Sequence, residues 1–338
     1  MIPHNRPTIG LEEEKAAIRV LESGKLSNGI EVSSFEKEFA KYMNLEEDEA
    51  IAVSNGTSAL FLSLWALNAN SKKIMFPSYV CSALRHAVGM VNGTEIIIDN
   101  SKNSPNINQN EIKNVSHDVE IIPHMYGIPT KIIQNEKISV VEDCCQALGA
   151  KVDNNLVGLQ GDIGIFSFFA TKIMTSGGHG GMIISKNKEM VGKIRDYREY
   201  DGRKDKKIRF NFQMTEIQAA IGREQLKKLP VFLNRREEIF QKYKKSGLDL
   251  LDVNPEDNES IKPIRYRAIL KTSEQKKIIK KLEMKEIKAI IPLEDWELLG
   301  EKDSNPNSLE FSRNTVSIPI YPSLTDEEVE LIIKTIME

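Results

Sequence analysis

Seven short apolar runs recur through the first two thirds of the chain: AIAV (50–53), KIMF (73–76), EIIID (95–99), VEIIP (119–123), ISVVED (138–143), IGIFSFF (163–169) and GMIIS (181–185). They are rich in Val and Ile and mostly continuous rather than alternating, the pattern of strands buried on both faces of a largely parallel sheet. Parallel neighbours need crossover connections, most often helices. Helical patterns do lie between several runs: LEEEKAAIRVLESG (11–24), SSFEKEFAKYM (33–43), TSALFLSLWAL (57–67) and NKEMVGKIRDY (187–197). Ser33 with Glu36 and Thr215 with Gln218 have the spacing of a capping box. Residues 1–227 are therefore expected to form an α/β domain whose helices cover both faces of a mixed, mostly parallel sheet.

The pattern changes near residue 228. A charged helical stretch, PVFLNRREEIFQKYKKS (230–246), leads to strand RYRAIL (265–270), helix TSEQKKIIKKLEM (272–284), strand IKAII (287–291) and a last helix opened by Thr325 and Glu328. A smaller α+β domain over 228–338 is expected. The polar segment NSKNSPNINQNEIKN (100–114) reads as a surface loop with a short helix.

Charge and cysteine usage exclude several classes. A net charge of -3 gives no pull toward nucleic acid or an anionic membrane, and the lysine-rich DGRKDKK (201–207) reads as a solvated loop. No apolar run approaches the roughly 20 residues of a membrane span, and the opening MIPHNRPTIGLEEEK has no apolar signal region. Cys81 and the adjacent pair Cys144 and Cys145 make an odd count that suits a reducing, cytoplasmic compartment. The five histidines are scattered without ligand spacing, so no metal is expected.

Three segments carry candidate chemistry at strand ends, where α/β sheets bind ligands. In AVSNGTSAL (52–60) a strand turns at Gly56 into a helix whose first N–H groups, with the Thr57 and Ser58 hydroxyls, can form an anion site; alternatively Ser54 or Thr57 only caps the helix. In SVVEDCCQALGA (139–150) a strand ends in Glu142 and Asp143, which alternation sends to opposite sides. A buried carboxylate needs an answering group: a metal, a protonated ring nitrogen, or a basic side chain. In FSFFATKIMTSGGHGGMII (166–184) Lys172 sits against an apolar run before a glycine loop. Burial is expected to lower its pKa and make it a nucleophile for an aldehyde; the alternative is an ion pair with Asp162. Phosphate cradle, acidic strand end and buried lysine, in that order, are the parts that pyridoxal 5′-phosphate (PLP) requires.

The chain resembles the sugar aminotransferases of the DegT/DnrJ/EryC1/StrS family. The matching blocks are RPTIG (6–10), ESGKLSNGIEVSSFEKEFA (22–40), VSNGTSAL (53–60), FPSYVCSALRHAV (76–88), HMYG (124–127), VEDCCQALGA (141–150), GDIGIFSFFATK (161–172), GGM (180–182), NFQMTEIQAAIGREQL (211–226) and SIPIYPSLTDEE (317–328). The resemblance implies the aspartate aminotransferase-like fold of PLP enzymes, fold type I. It implies that Lys172 holds the cofactor and moves the proton, that Asp143 faces the pyridine nitrogen and Gln146 the phenolic oxygen, and that Gly56, Thr57 and Ser167 contact the phosphate. Asn211 falls on a residue that reaches the cofactor of a neighbouring subunit, which implies a homodimer with shared sites. Cys81 stands where family members place an aromatic residue on the ring, with Tyr79 the nearest aromatic candidate. Gln213 replaces a common arginine, His179 stands near a common glutamate, the glycine loop is longer by one residue, and the histidine-containing substrate segment is not evident.

The implied activity is transfer of an amino group from glutamate to a keto group of a nucleotide-linked sugar, for surface polysaccharide or glycoconjugate synthesis. Alternatives on the same scaffold are a sugar dehydratase, in which histidine replaces the lysine, and a non-catalytic regulatory relative. Lysine at position 172 speaks against the first, and the set Lys172, Asp143 and Asn211 against the second.

Overall fold

The structure, a computed structural model, describes residues 1–27, 29–107, 109–110, 112–133, 135–253 and 259–338. Asn28, within one of the family blocks, and Asn108 and Glu111, within the polar 100–114 segment, lie outside the described residues.

The apolar runs become the central sheet. Its strands are β1 (Ala50–Val53), β2 (Lys73–Pro77), β3 (Thr94–Ile98), β4 (Val119–Pro123) and β5 (Ser139–Asp143). After the short pair β6 (Lys151–Val152) and β7 (Asn155–Leu156), β8 (Ile163–Ser167) and β9 (Gly181–Ile184) complete it. The order is β1-β9-β8-β5-β4-β2-β3. β8, β5, β4, β2 and β3 run parallel, whereas β9 pairs antiparallel with both β8 and β1. The sheet is thus mixed and mostly parallel, as expected. The IGIFSFF run ends as a strand at Ser167, because the chain turns there into the lysine loop.

Helices α1 (Leu11–Ser23), α2 (Ile30–Tyr42), α3 (Gly56–Ala66), α4 (Ala83–Met90) and α5 (Lys188–Tyr197) accompany the sheet. Nearly every residue of α3 is buried, which its all-round apolar sequence required. The capping box at Thr215 and Gln218 forms and starts α6 (Glu216–Lys245). The one at Ser33 and Glu36 does not. α2 begins earlier, at Ile30, and its first amides are capped from afar: Glu216 accepts from the N–H of Glu31 (2.9 Å) and of Val32 (2.8 Å). A Cβ at Gly29 would lie 2.9 Å from that same carboxylate. Glu36 is instead a buried brace, accepting from Ala52 N–H and from Arg195 and Arg198.

The 100–114 segment corrects a second expectation. No helix forms among its described residues, and the segment is not a simple surface loop. Ile107 and Ile112 pack with Met75, Ile122, Ile132 and Val140 on the outer sheet face, and Asn106 donates to Ile128 O (2.8 Å).

The remaining elements are β10 (Ile261–Lys262), β11 (Ala268–Lys271), α7 (Gln275–Glu283), α8 (Pro306–Arg313), β12 (Thr315–Ile318) and α9 (Asp326–Met337), the last started by the Thr325–Glu328 box. β11 and β12 form an antiparallel pair. The IKAII run gives only isolated bridges, Ile287 with Ile2 and Ile290 with Ser317. A second core gathers Ile239, Phe240 and Tyr243 of α6 with Leu270, Val316, Ile332 and Ile2. Residue 228 lies inside α6, which runs unbroken through Pro230 for 30 residues.

Candidate active site

The site is built where β1, β5 and β8 end beside the start of α3. Asn55 terminates β1 and caps α3: its Oδ1 accepts from Ser58 N–H (2.8 Å) and from the Ser58 hydroxyl (3.1 Å). Asparagine is a favoured cap, so neither Ser54 nor Thr57 performs that task. Ser58 is buried, and its hydroxyl also meets Ser54 Oγ at 3.0 Å; the expected role of this hydroxyl in an anion site is therefore not supported. The Gly56 and Thr57 amides, by contrast, have no partner among the described residues and open onto a cavity of about 620 Å³. Glycine at 56 is a matter of space. A Cβ there would stand 2.9 Å from the Cβ of Ser167 and 3.5 Å from Cys145 Sγ.

Glu142 and Asp143 do point to opposite sides. Glu142 faces away from the cavity and is fully buried. It accepts from the amides of Gly158 (2.8 Å), Gln160 (2.5 Å) and Gly161 (2.7 Å), and from His124 Nε2 (3.1 Å). Thr130 N–H donates to His124 Nδ1 (3.0 Å), which leaves the proton on Nε2. Burial works against the Glu142 carboxylate, but His124 and the amides outweigh it and hold its pKa below the ordinary value. His124, Glu142 and Cys144 have ligand atoms within 4.8 Å of one another. Both His124 nitrogens are already committed, and burial pushes the Cys144 thiol well up, so the cluster reads as a structural knot rather than a metal centre.

Asp143 faces the cavity, half-buried, with Cys145 N–H donating to its Oδ1 (3.0 Å). Lys172, Gln146, Ser167 and His179 line the same space. Gln146 is fixed by accepting from Tyr126 N–H (2.9 Å). The ion pair of Lys172 with Asp162 is absent: Asp162 accepts from Val140 N–H (2.8 Å) at the far end of β5. The expected drop in the Lys172 pKa is also reversed. Desolvation pushes the amine down, but Tyr266, Cys145, Asp143 and Cys81 together raise it. Lys172 Nζ lies 5.4 Å from the centre of the Tyr266 ring.

Cys81 lines the cavity and is exposed at its mouth. Tyr79 is not an alternative, because it is fully buried and its hydroxyl meets that of Tyr126 at 2.8 Å. Tyr126 adopts φ 59°, a left-handed conformation uncommon for a residue with a side chain. Asn211 is exposed and is not part of the cavity of its own chain; its neighbour Phe212 is.

Beyond Lys172 a second space of about 530 Å³ opens toward the smaller unit, bordered by Tyr266, Arg267 and Trp296. None of these was anticipated. RYRAIL reads as an ordinary strand, and only tertiary packing brings Tyr266 to the lysine. The N-terminal segment also reaches the site, with Asn5 Nδ2 donating to Thr171 O (2.8 Å).

Comparison with known proteins agrees with this geometry. The profile of the DegT/DnrJ/EryC1/StrS aminotransferase family matches residues 7–337. The chain is 27% identical to GDP-perosamine synthase of Escherichia coli O157:H7, covering 100% of this chain and 98% of that protein. It is 27% identical to the spore coat polysaccharide biosynthesis protein SpsC of Bacillus subtilis, covering 100% and 96%. The crystal structure of the aminotransferase TlmJ from Streptoalloteichus hindustanus superposes with a TM-score of 0.90 at 22% identity, over 99% of this chain and 98% of that one.

Proposed function

This chain belongs to the DegT/DnrJ/EryC1/StrS aminotransferase family, and on that footing we propose that it uses PLP to move an amino group from glutamate to a keto group of a nucleotide-linked sugar. The observation that carries the reading is one cavity holding an amine, a carboxylate and two unpartnered helix-start amides: Lys172, Asp143, Gly56 and Thr57. The residues fit the cofactor. Amides at the start of α3 suit a phosphate, helped by the Thr57 and Ser167 hydroxyls. Asp143 suits a protonated ring nitrogen, Gln146 lies in reach of the ring substituents, and the absence of a Cβ at Gly56 leaves the cradle open. When bound, PLP supplies the electron sink for a carbanion at the substrate carbon. Lys172 Nζ would hold the cofactor and would accept and return the proton at the substrate carbon. Asp143 would keep a protonated ring nitrogen charged, and Cys81 lines the cavity where an aromatic residue would otherwise cover the ring.

GDP-perosamine synthase among the relatives supports a nucleotide-linked sugar, and SpsC supports a polysaccharide product. A homodimer is supported by apolar side chains left exposed on and around α1 and α2, among them Leu11, Ile18, Leu21 and Ile30. In such a dimer the exposed Asn211 serves the partner's site. Among the described residues no helix is long and apolar enough to cross a membrane, and we place the enzyme in the cytoplasm. The 1–227 and 228–338 units remain our division of the chain, with Ile2 joining the second core.

Borohydride treatment of the protein mixed with PLP, followed by peptide mass spectrometry, tests the reading. Label on Lys172 and bleaching of the yellow colour by glutamate are expected. A colourless protein without label refutes the assignment. A screen of nucleotide keto-sugars with glutamate then identifies the acceptor.

A further inference from the structure

We infer that Arg267, held in place by His4 from the N-terminal segment, is the anion anchor of the space beside Lys172 and receives a carboxylate or phosphate group of a substrate. The inference rests on the aminotransferase reading and extends it to the substrate's acidic group.

Arg267 borders the 530 Å³ space together with Lys172, Tyr266 and Trp296. Arg85, Lys172 and Glu297 are the other charged side chains lining that space, and the one acid among them, Glu297, makes no ion pair with Arg267. Arg85 Nε donates to both oxygens of Glu95 (3.2 and 3.1 Å). Glu297 accepts from Glu294 N–H (2.9 Å), closing its own turn. Arg267 has no carboxylate within 4.0 Å among the described residues; its Nη1 meets only neutral partners, His4 Nε2 (3.2 Å) and Ser317 Oγ (3.4 Å). A half-buried guanidinium without an anion is costly unless a ligand supplies one, and its planar fork matches the two oxygens of a carboxylate or phosphate.

The surroundings are built to keep this cation unpaired. Behind it, the fully buried Arg236 spends its Nη1 on the carbonyl oxygens of Arg265, Tyr266 and Ile320 rather than on an acid. His4 stays neutral: burial first, then Arg267, Lys288 and Arg236, push its pKa down to about 3. A neutral ring accepts from Arg267 and orients it without cancelling its charge. His4 is itself pinned on both sides. Ile2 pairs with Glu286 and Lys288 through backbone bonds of 2.8 and 2.9 Å, and Asn5 donates to Thr171 O, one residue before the lysine. Both Arg267 Cζ and Lys172 Nζ lie 5.4 Å from the centre of the Tyr266 ring. The same aromatic ring thus borders both the amine and the anion anchor.

Trp296 is exposed on the same wall and reports on the space by fluorescence. The full-length chain is titrated with 2-oxoglutarate and, separately, with guanosine diphosphate, for wild type, Arg267→Gln, Arg267→Lys and His4→Gln. Arg267→Gln is expected to weaken one of the two probes by about tenfold or more, the scale of a charge-assisted pair. Loss for 2-oxoglutarate identifies a carboxylate ligand, and loss for the diphosphate identifies a phosphate. Arg267→Lys keeps the charge without the fork and recovers part of the binding, which separates anion contact from misfolding. His4→Gln gives a smaller loss with an unchanged melting midpoint. Unaltered binding of both probes in Arg267→Gln, or no binding of either in wild type, overturns the inference. Borohydride labelling of Lys172 in the same samples keeps the two readings apart. Failed labelling sinks the PLP assignment, whereas labelled protein with unaltered titrations sinks only the anion anchor.

Discussion

Glu142 and Asp143 are adjacent in sequence and sit on opposite sides of β5, and the two sides are finished differently. On the Glu142 side each carboxylate oxygen meets several donors, His124 uses both nitrogens, and no solvent reaches the group. On the Asp143 side one backbone amide satisfies one oxygen, and the Gly56 and Thr57 amides and the Lys172 amine have no hydrogen-bond partner among the described residues. A side whose polar groups all have partners can hold the sheet together, whereas a side with vacancies can bind something. The contrast separates architecture from chemistry within a single strand end.

Substitutions on the two sides should therefore fail in different ways. The largest effect is expected for Lys172→Ala: transamination falls by at least about 10³-fold through loss of the acid/base, while circular dichroism shows an unchanged melting midpoint. Turnover near wild type would erase the distinction. Glu142→Ala is expected to act on stability, by about 3–5 kcal/mol in urea unfolding, because it strands the buried His124 and Gly158 amide and the half-buried amides of Gln160 and Gly161. Asp143→Asn should lower turnover by about 10²-fold with little change in stability. If the two carboxylate variants exchanged phenotypes, the assignment of sides would be reversed. Gly56→Ala places a methyl group against Ser167 and is expected to cost about 1–3 kcal/mol by overpacking, read as weaker PLP retention on dialysis.

The mildest test is pH. The Glu142 pKa is depressed in the folded protein, so its contribution is complete above the unfolded carboxylate value and is lost as pH falls through the folded one. Acidification below the ordinary glutamate value of 4.5 should destabilise the wild type more steeply than Glu142→Gln. Parallel curves would show that this side is not where the acid sensitivity resides.

What the amino-acid sequence displays follows from the range of the interactions involved. The strands are legible because burial on both faces forces continuous Val and Ile runs, and Thr215 and Thr325 are legible because a capping box closes within four residues. Lys172 and Asp143 stand out as charges against apolar runs; strand alternation sends Glu142 and Asp143 to opposite sides, and the family resemblance selects Asp143. The rest depends on partners far away in the chain. α2 is capped by Glu216, some 185 residues later, and no local rule could choose that over Ser33 and Glu36. Ile107 and Ile112 sit among polar residues, which hides a buried segment behind a loop-like composition. The raised pKa of Lys172 required Tyr266, and Arg267 became interesting only once its neighbours proved to be neutral.

Helix α6 carries a mechanical implication. Thirty residues at about 1.5 Å each make a rod of about 45 Å, whose first half is bound to α1 and α2 and whose second half is embedded in the other core. Such a strut transmits torque between the lobes instead of absorbing it. Pro230 lies near its middle, where the ring removes a backbone donor and weakens the ladder. A rocking of Tyr266 and Arg267 toward the lysine would have to bend this beam as well as the N-terminal tie that runs from Ile2 in the second core to Asn5 beside Thr171.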